Sequence, residues 1–156
     1  MVQLHLPFPT VTADLPFPPS ANRLWRYTGR CVILTPEYLT WKREAWLAFR
    51  KQHPKMPPTL KSFRIAITLD ENRRSRCDGD NRIKPLIDFC QKINLVFDDK
   101  DCDSGSWTWG PAPMGCRVSL SPSDVPATGF PVSRSVLDAR SGSWERLHVR
   151  AEQDVA

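Results

Sequence analysis

Large apolar residues alternate with smaller or polar residues in one segment near the middle of the chain. The apolar set is Phe63, Ile65, Ile67 and Leu69, and the intervening positions are 64, 66 and 68. Because successive side chains of a strand point to opposite faces, this pattern predicts a β-strand with one face in the core. Shorter apolar stretches predict further strands near residues 11–15, 31–34, 106–109 and 116–120.

Between residues 36 and 52 the apolar residues recur with the period of a helix. Thr35 followed by Pro36 predicts the start of this helix, because threonine caps helix N-termini and proline is favoured at the first helical position. The predicted buried stripe consists of Tyr38, Leu39, Trp41, Ala45, Trp46 and Phe49.

A second helix is predicted to begin near Asp80 or Asn81, with Pro85 displacing or bending its start. A short buried segment at 95–97 follows it. The side chains that this helix is predicted to bury are Ile83, Leu86, Ile87, Cys90 and Ile93.

These elements predict an α/β protein of the α+β type, in which a single compact domain holds a mixed β-sheet flanked by two main helices. The domain is expected to span residues 12–120. A proline-rich stretch makes residues 1–11 an expected amino-terminal extension, and the polar composition of residues 121–156 predicts a mobile carboxy-terminal tail.

The positive charge of the chain lies in the predicted domain. Residues 1–120 contain 18 Lys and Arg against 12 Asp and Glu, a net charge of +6, whereas the whole chain carries +5. A basic surface suits a polyanionic partner such as a nucleic acid. No apolar run approaches the ~20 residues of a membrane span, so a cytoplasmic location without membrane contact is expected.

Four carboxylates and a lysine are concentrated in a short part of this basic domain. Carboxylate oxygens are the hard ligands that Mg²⁺ prefers, and crowded carboxylates repel one another unless a cation is present. In an extended segment Asp78 and Asp80 would face the same side, with Gly79 allowing close approach of the backbone. The pattern therefore predicts a metal-dependent phosphodiesterase whose key residues are Asp78, Asp80, Lys84, Asp98 and Asp99.

Each of these residues has an alternative explanation. Single aspartates often cap helices or form solvated turns. Lys84 could simply form an i,i+4 ion pair with Asp88, and Asp88 could contact metal or hold Lys84, of which the second is favoured. The basic run at 73–76 could be solvated, but beside a metal site phosphate binding is the better interpretation.

Two separated motifs resemble those of a known family, the RusA-type Holliday junction resolvases. The first is Asp78-x-Asp80-Asn81-x-x-Lys84-x-x-x-Asp88, followed by Asp98-Asp99. The second is the segment Leu-Pro-Phe-Pro-Pro-Ser-Ala-Asn-Arg at residues 15–23, which is similar to the amino-terminal signature of that family. The basic run Arg73-Arg74-Ser75-Arg76 also precedes the acidic motif, as it does in those proteins.

The resemblance implies a RusA-like fold and a Mg²⁺-dependent endodeoxyribonuclease, with Mn²⁺ as an alternative ion, that resolves four-way DNA junctions as a C₂ homodimer. The catalytic residues would be Asp78, Asp80, Lys84 and Asp99. The metal ligands would be Asp78, Asp80, Asp98 and Asp99. The DNA contacts would come from Asn22, Arg23, Arg73, Arg74, Arg76 and Arg82. Two alternatives stay open: a non-catalytic junction-binding protein of the same fold, and a metal-dependent nuclease acting on other branched DNA or RNA.

Overall fold

The alternating segment is an interior strand of the main sheet in the computed structural model, which describes residues 10–123. The strands are Val11–Pro16 (β1), Trp25–Tyr27 (β2), Val32–Leu34 (β3), Phe63–Asp70 (β4), Cys102–Gly110 (β5) and Gly115–Pro122 (β6). The α-helices are Pro36–Gln52 (α1) and Ile83–Lys92 (α2). Short 3-10 helices cover Ala21–Arg23, Glu71–Arg76, Asp80–Arg82 and Asp99–Asp101.

The main sheet has the strand order β1-β6-β4-β5. β6 is antiparallel to both β1 and β4, whereas β4 and β5 are parallel. Parallel neighbours need a crossover connection, and here residues 71–101 form it and include α2. The fold is therefore mixed α+β, and the expected mixed sheet with two main helices is confirmed. The crossover also contains the entire acidic motif.

The predicted face of α1 is largely confirmed. Thr35 caps the helix by accepting a hydrogen bond from the Tyr38 backbone N–H at 3.3 Å, and the core-facing side chains Tyr38, Trp41, Ala45 and Phe49 are buried. The prediction that Leu39 is buried is wrong, because this residue is 49% exposed. One residue advances a helix by about 100°, which turns Leu39 away from the stripe that Tyr38 begins.

Helix α2 differs from its prediction in detail. A 3-10 turn precedes it, and Pro85 lies in the first turn of the α-helix, where a backbone N–H has no intrahelical partner. Leu86 and Cys90 are buried as predicted, and Phe89, which the sequence analysis omitted, is buried beside them. Phe97 was predicted to be buried but is 45% exposed.

The sequence analysis missed β2, which pairs with β3 in a separate two-stranded antiparallel sheet. The predicted strand at 31–34 is β3, one residue shorter. In the main sheet β1 begins at Val11 and β6 continues to Pro122, which pairs with Phe63. The rest of the predicted extension and tail lies outside the described residues.

None of the helices within residues 10–123 combines the length and the apolar character needed to cross a lipid bilayer. The core fills the space between one face of the sheet and the helices. Its largest fully buried side chains include Phe49 from α1, Phe63 from β4 and Phe89 from α2. This packing holds α2, in the middle of the crossover, against the sheet.

Candidate functional site

A cavity of about 430 Å³ lies where two segments that are distant in sequence meet. One segment follows β1 and contains the 3-10 helix Ala21–Arg23. The other is the start of the crossover, before α2. The residues that line the cavity are Ser20, Asn22, Arg23, Arg76, Cys77, Asp78, Asn81 and Arg82.

A second cavity, of about 440 Å³, shares three lining residues with the first, namely Arg23, Cys77 and Arg82. Because of these shared residues the two cavities are neighbours. The other residues that line the second cavity are Phe17, Pro18, Pro19, Glu37, Thr40, Trp41, Glu44 and Arg73. The sequence analysis placed Trp41 only in the core, yet this side chain also forms part of the cavity wall.

Arg82 connects the two segments directly. Its Nη1 donates a hydrogen bond to the backbone carbonyl of Pro18 at 2.9 Å, and its guanidinium lies 5.2 Å from the centre of the Phe17 ring. Its Nε is buried without a hydrogen-bond partner. Arg82 was predicted as a DNA contact, and the structure gives it this structural contact as well as a position on the cavity wall.

The predicted basic run forms a 3-10 helix over Glu71–Arg76. Arg73 lies 4.7 Å from the centre of the Phe17 ring and 3.9 Å from the Asp70 carboxylate. Arg73 and Arg76 line the second and the first cavity respectively, and Arg74 is exposed on the same helix. The sequence analysis gave Phe17 no role, although Phe17 belongs to the motif it quoted at 15–23.

The predicted extended geometry around Gly79 is wrong. Gly79 has helical dihedrals, φ −70° and ψ −40°, and Asp80 is the first residue of the 3-10 helix that follows. Residues i and i+2 of a strand point to the same side, and the helical backbone at Gly79 breaks that alternation between Asp78 and Asp80. Asp78 lines the first cavity, and both carboxylates are exposed.

Gly79 is closely approached by a side chain of β5. A Cβ on Gly79 would lie 2.3 Å from the ring of Trp107. Glycine is therefore the residue that lets this indole cover the turn. The contact joins β5 to the turn between Asp78 and Asp80.

Asp98 and Asp99 form a second polar group at the end of the crossover. Asp98 accepts a hydrogen bond from the Lys100 backbone N–H at 3.2 Å. Its carboxylate also forms an ion pair with the Lys100 ammonium at 3.1 Å. Partial burial opposes ionisation of Asp98, but these contacts outweigh it and lower its pKa. The hydrogen bond with Asp98, partial burial and Coulomb repulsion raise the pKa of Asp99.

Lys84 and Asp88 belong to this second group. The Lys84 ammonium lies 3.2 Å from the Asp88 carboxylate, so the predicted i,i+4 ion pair is present. Lys84 also acts on Asp99, because its charge favours the ionised carboxylate and partly offsets the raised pKa. The negative charge of Asp88 has the opposite effect on Asp99. Lys84 thus interacts with two carboxylates of the motif.

The charge of Asp88 also acts on a second lysine, Lys42 of α1. This charge favours the protonated form of Lys42, whose ammonium lies 4.7 Å from the centre of the Tyr38 ring. Burial and then repulsion from Lys92 lower the pKa of Lys42. Burial, reinforced by Asp88, raises the pKa of Tyr38 to about 12. These contacts give Asp88 a role as a partner of lysines.

Most of the predicted site residues fall into two groups, and Arg73, Arg74 and Asp80 belong to neither. Asn22, Arg23, Arg76, Asp78 and Arg82 surround the first cavity, and the second group consists of Lys84, Asp88, Asp98 and Asp99. The donor chemistry suits Mg²⁺, since the four candidate ligands all offer carboxylate oxygens. Within residues 10–123, however, no three His, Cys, Asp or Glu side chains are grouped closely enough to hold a metal ion.

No protein-family model and no curated protein matches this sequence. The resemblance to RusA-type resolvases therefore rests on the motif residues alone. The structure adds one relation between those motifs that the sequence does not contain, namely that the segment at 20–23 and the segment at 76–82 line one cavity.

Proposed function

We propose that this protein is a RusA-like, Mg²⁺-dependent endodeoxyribonuclease that resolves four-way DNA junctions. The observation that carries the proposal is the shared cavity, which Asn22 and Arg23 of one motif line together with Arg76, Asp78 and Arg82 of the other segment. Arginine is well suited to phosphate, because its planar guanidinium donates several hydrogen bonds in a fixed geometry.

The basic residues would bind the DNA backbone, and the acidic turns would hold the ion. Arg23, Arg73, Arg74 and Arg76 would neutralise phosphates near the cavity. Asp78, Asp80, Asp98 and Asp99 would supply the metal ligands, which requires carboxylates from both turns to contact the ion. A bound Mg²⁺ would activate water and offset charge on the phosphate. Lys84 would stabilise the charge that develops on the phosphate oxygens.

The proposal includes a C₂ homodimer in the cytoplasm. A four-way junction is resolved by two symmetric cuts, and two active sites related by a two-fold axis suit that task. A second candidate is a junction-binding protein that does not cleave. It is favoured by the lack, among residues 10–123, of three grouped side chains able to hold a metal.

Cleavage of a labelled four-way junction tests the proposal. With Mg²⁺ we expect paired nicks at opposite strands, no products when a chelator replaces the ion, and slower cleavage of a linear duplex of the same sequence. Unlabelled junction should compete better than unlabelled duplex. Junction binding without cleavage under any ion condition would instead establish the non-catalytic candidate, and equal cleavage of flaps or RNA would contradict junction selectivity.

Lys84→Ala is expected to lower the cleavage rate by about 10²-fold, which is the effect of removing one positioned electrostatic contact. The matched control is Asp88→Asn, which breaks the same ion pair from the other side. The Lys84 side chain is 62% exposed and the Asp88 side chain is 26% exposed, so solvent screens the pair and breaking it costs only about 0.5 kcal/mol of stability. Single-turnover rates should therefore fall far more for Lys84→Ala. Equal and small effects of the two substitutions on the cleavage rate would show that the ion pair has only a structural role.

A further inference from the structure

A small hairpin next to the cavities exposes aromatic side chains. We call residues 25–34 the aromatic hairpin; it consists of β2, β3 and the turn between them. Trp25 pairs with Leu34 and Tyr27 pairs with Val32, so these four side chains lie on one face of the two-stranded sheet. On that face Trp25 is 57% exposed, Tyr27 is 74% exposed and Val32 is 60% exposed.

The aromatic hairpin is held in place at its base. Leu24, which immediately precedes it, is buried in the core. Thr35 follows it and makes two bonds back across the base: its backbone N–H donates to the Leu24 carbonyl at 3.0 Å, and its hydroxyl donates to the Arg23 carbonyl at 2.7 Å. Thr35 is also the cap of α1. The position of the exposed rings is therefore fixed relative to the core.

Its tip is also ordered by hydrogen bonds. The Thr28 backbone N–H and hydroxyl both donate to the Cys31 carbonyl, each at 3.0 Å, and the Tyr27 hydroxyl donates to the Gly29 carbonyl at 3.0 Å. Gly29 has φ +83°, the left-handed conformation that glycine adopts without strain. The ring of Tyr27 is thus held beside the turn with one face available.

The charged residues in and beside the aromatic hairpin are arginines along the sequence. Residues 15–36 contain Arg23, Arg26 and Arg30 and no Asp or Glu. Arg23 also lines both cavities, of which the second contains Glu37 and Glu44 as well, so basic residues continue from the aromatic hairpin to the proposed DNA-binding residues. A two-fold contact between two copies of the aromatic hairpin would bring Arg26 and Arg30 of each copy together, and the hairpin itself contains no Asp or Glu. Such repulsion disfavours self-association through this face and favours a polyanion.

We propose that the aromatic hairpin binds unpaired bases of DNA, with Trp25 and Tyr27 as stacking surfaces and the neighbouring arginines on the phosphates. Exposed aromatic rings next to basic residues are the combination that binds single-stranded nucleic acid, because every base has a π-face and every linkage carries a negative charge. The proposal rests on the proposed function in that DNA is the ligand. It adds a site for single-stranded segments, such as those at a branch point, outside the acidic turns.

The test measures binding separately from cleavage, in the full chain without divalent ions. The probes are a fluorescently labelled deoxythymidine oligomer of about 20 nucleotides, longer than the ~4–16 nucleotides of typical single-strand sites, a labelled duplex and a labelled four-way junction. The variant is Trp25→Ala with Tyr27→Ala. The matched control is Leu47→Ala with Met114→Ala, which removes apolar side chains that are 63% and 51% exposed elsewhere.

We expect the aromatic variant to bind the oligomer about 10–100-fold more weakly, since stacking on one or two rings has that magnitude. Its affinity for the duplex should change by less than about threefold, because duplex binding depends on phosphate contacts. Trp25→Phe with Tyr27→Phe should restore most of the binding, because stacking needs only an aromatic ring. The control should bind all probes as the unmodified protein does.

Three results would overturn the inference, and they have different meanings. Unchanged oligomer binding by the aromatic variant, with junction binding intact, would show that the aromatic hairpin does not bind unpaired bases. The proposed function would be unaffected. Failure of the unmodified protein to bind any probe would contradict both this inference and the proposed function. Conversion of a dimer to a monomer by the aromatic variant, seen in sedimentation velocity, would show that the patch is a protein interface.

Discussion

Asp80→Asn is expected to reduce Mg²⁺-dependent junction cleavage by at least ~10²-fold while junction binding stays equal or becomes tighter. The substitution replaces a carboxylate ligand by a neutral amide of the same shape, so the hold on the ion weakens. It also removes one negative charge that repels DNA phosphate. Single-turnover cleavage and an electrophoretic binding assay without divalent ion measure the two effects separately.

A matched substitution checks that the effect belongs to the site. Asp14→Asn also removes one carboxylate charge, but Asp14 lies on β1, where it pairs with Arg117 of β6 at 2.8 Å. The Asp14→Asn variant should cleave the junction at a rate close to that of the unmodified protein. Full cleavage by Asp80→Asn would exclude Asp80 as a metal ligand. Loss of both cleavage and binding together with a lower melting temperature would point to damage of the turn.

Trp41→Ala is expected to lower the free energy of unfolding by about 3–5 kcal/mol, the usual cost of removing a large buried aromatic side chain. Trp41 is 5% exposed, and its ring meets the Phe89 ring edge to face at 5.5 Å. Its Nε1 donates a hydrogen bond to the Pro16 carbonyl at 3.0 Å. The substitution therefore loosens the contact between α1, α2 and the end of β1, where the second cavity lies.

Trp25→Ala supplies the matched tryptophan control, because Trp25 is 57% exposed on the aromatic hairpin. A surface substitution of this kind changes stability by only ~0.5 kcal/mol. The free energy of unfolding of Trp41→Phe should lie between those of Trp41→Ala and Trp25→Ala. Phenylalanine keeps most of the packing and loses the hydrogen bond, at a cost of about 1 kcal/mol. Urea unfolding monitored by circular dichroism gives all three values. Equal midpoints for Trp41→Ala and Trp25→Ala would contradict the packing that assigns Trp41 to the core.

The elements that could be predicted from the sequence are those with a long and regular period. Both β4 and α1 were predicted correctly, because several residues of each element carry the same pattern. β2 was missed since it has only three residues, all exposed, and so lacks an apolar period. Phe97 was misassigned because an apolar residue in a short segment gives no indication of the direction of its side chain.

The candidate site could be predicted only in part. Asp78, Asp80 and Lys84 were singled out by their chemistry, but the helical conformation of Gly79 was not expected from an extended interpretation. The approach of the segment at 20–23 to Arg76 and Asp78 depends on tertiary packing, for which a single sequence carries no periodic signal. The hydrogen bond from Arg82 to the Pro18 carbonyl gives this proximity a physical cause.

The acidic turn depends on β5, which like β1 lies at an edge of the main sheet. β5 has a hydrogen-bonded neighbour, β4, on one side only, and its Trp107 covers Gly79. An edge strand detaches at a lower free energy than the strands inside the sheet. Detachment would uncover Gly79 and release the turn carrying Asp78 and Asp80 while β1, β6 and β4 remained paired. The integrity of the site is thus governed by a sub-global opening of the sheet rather than by complete unfolding.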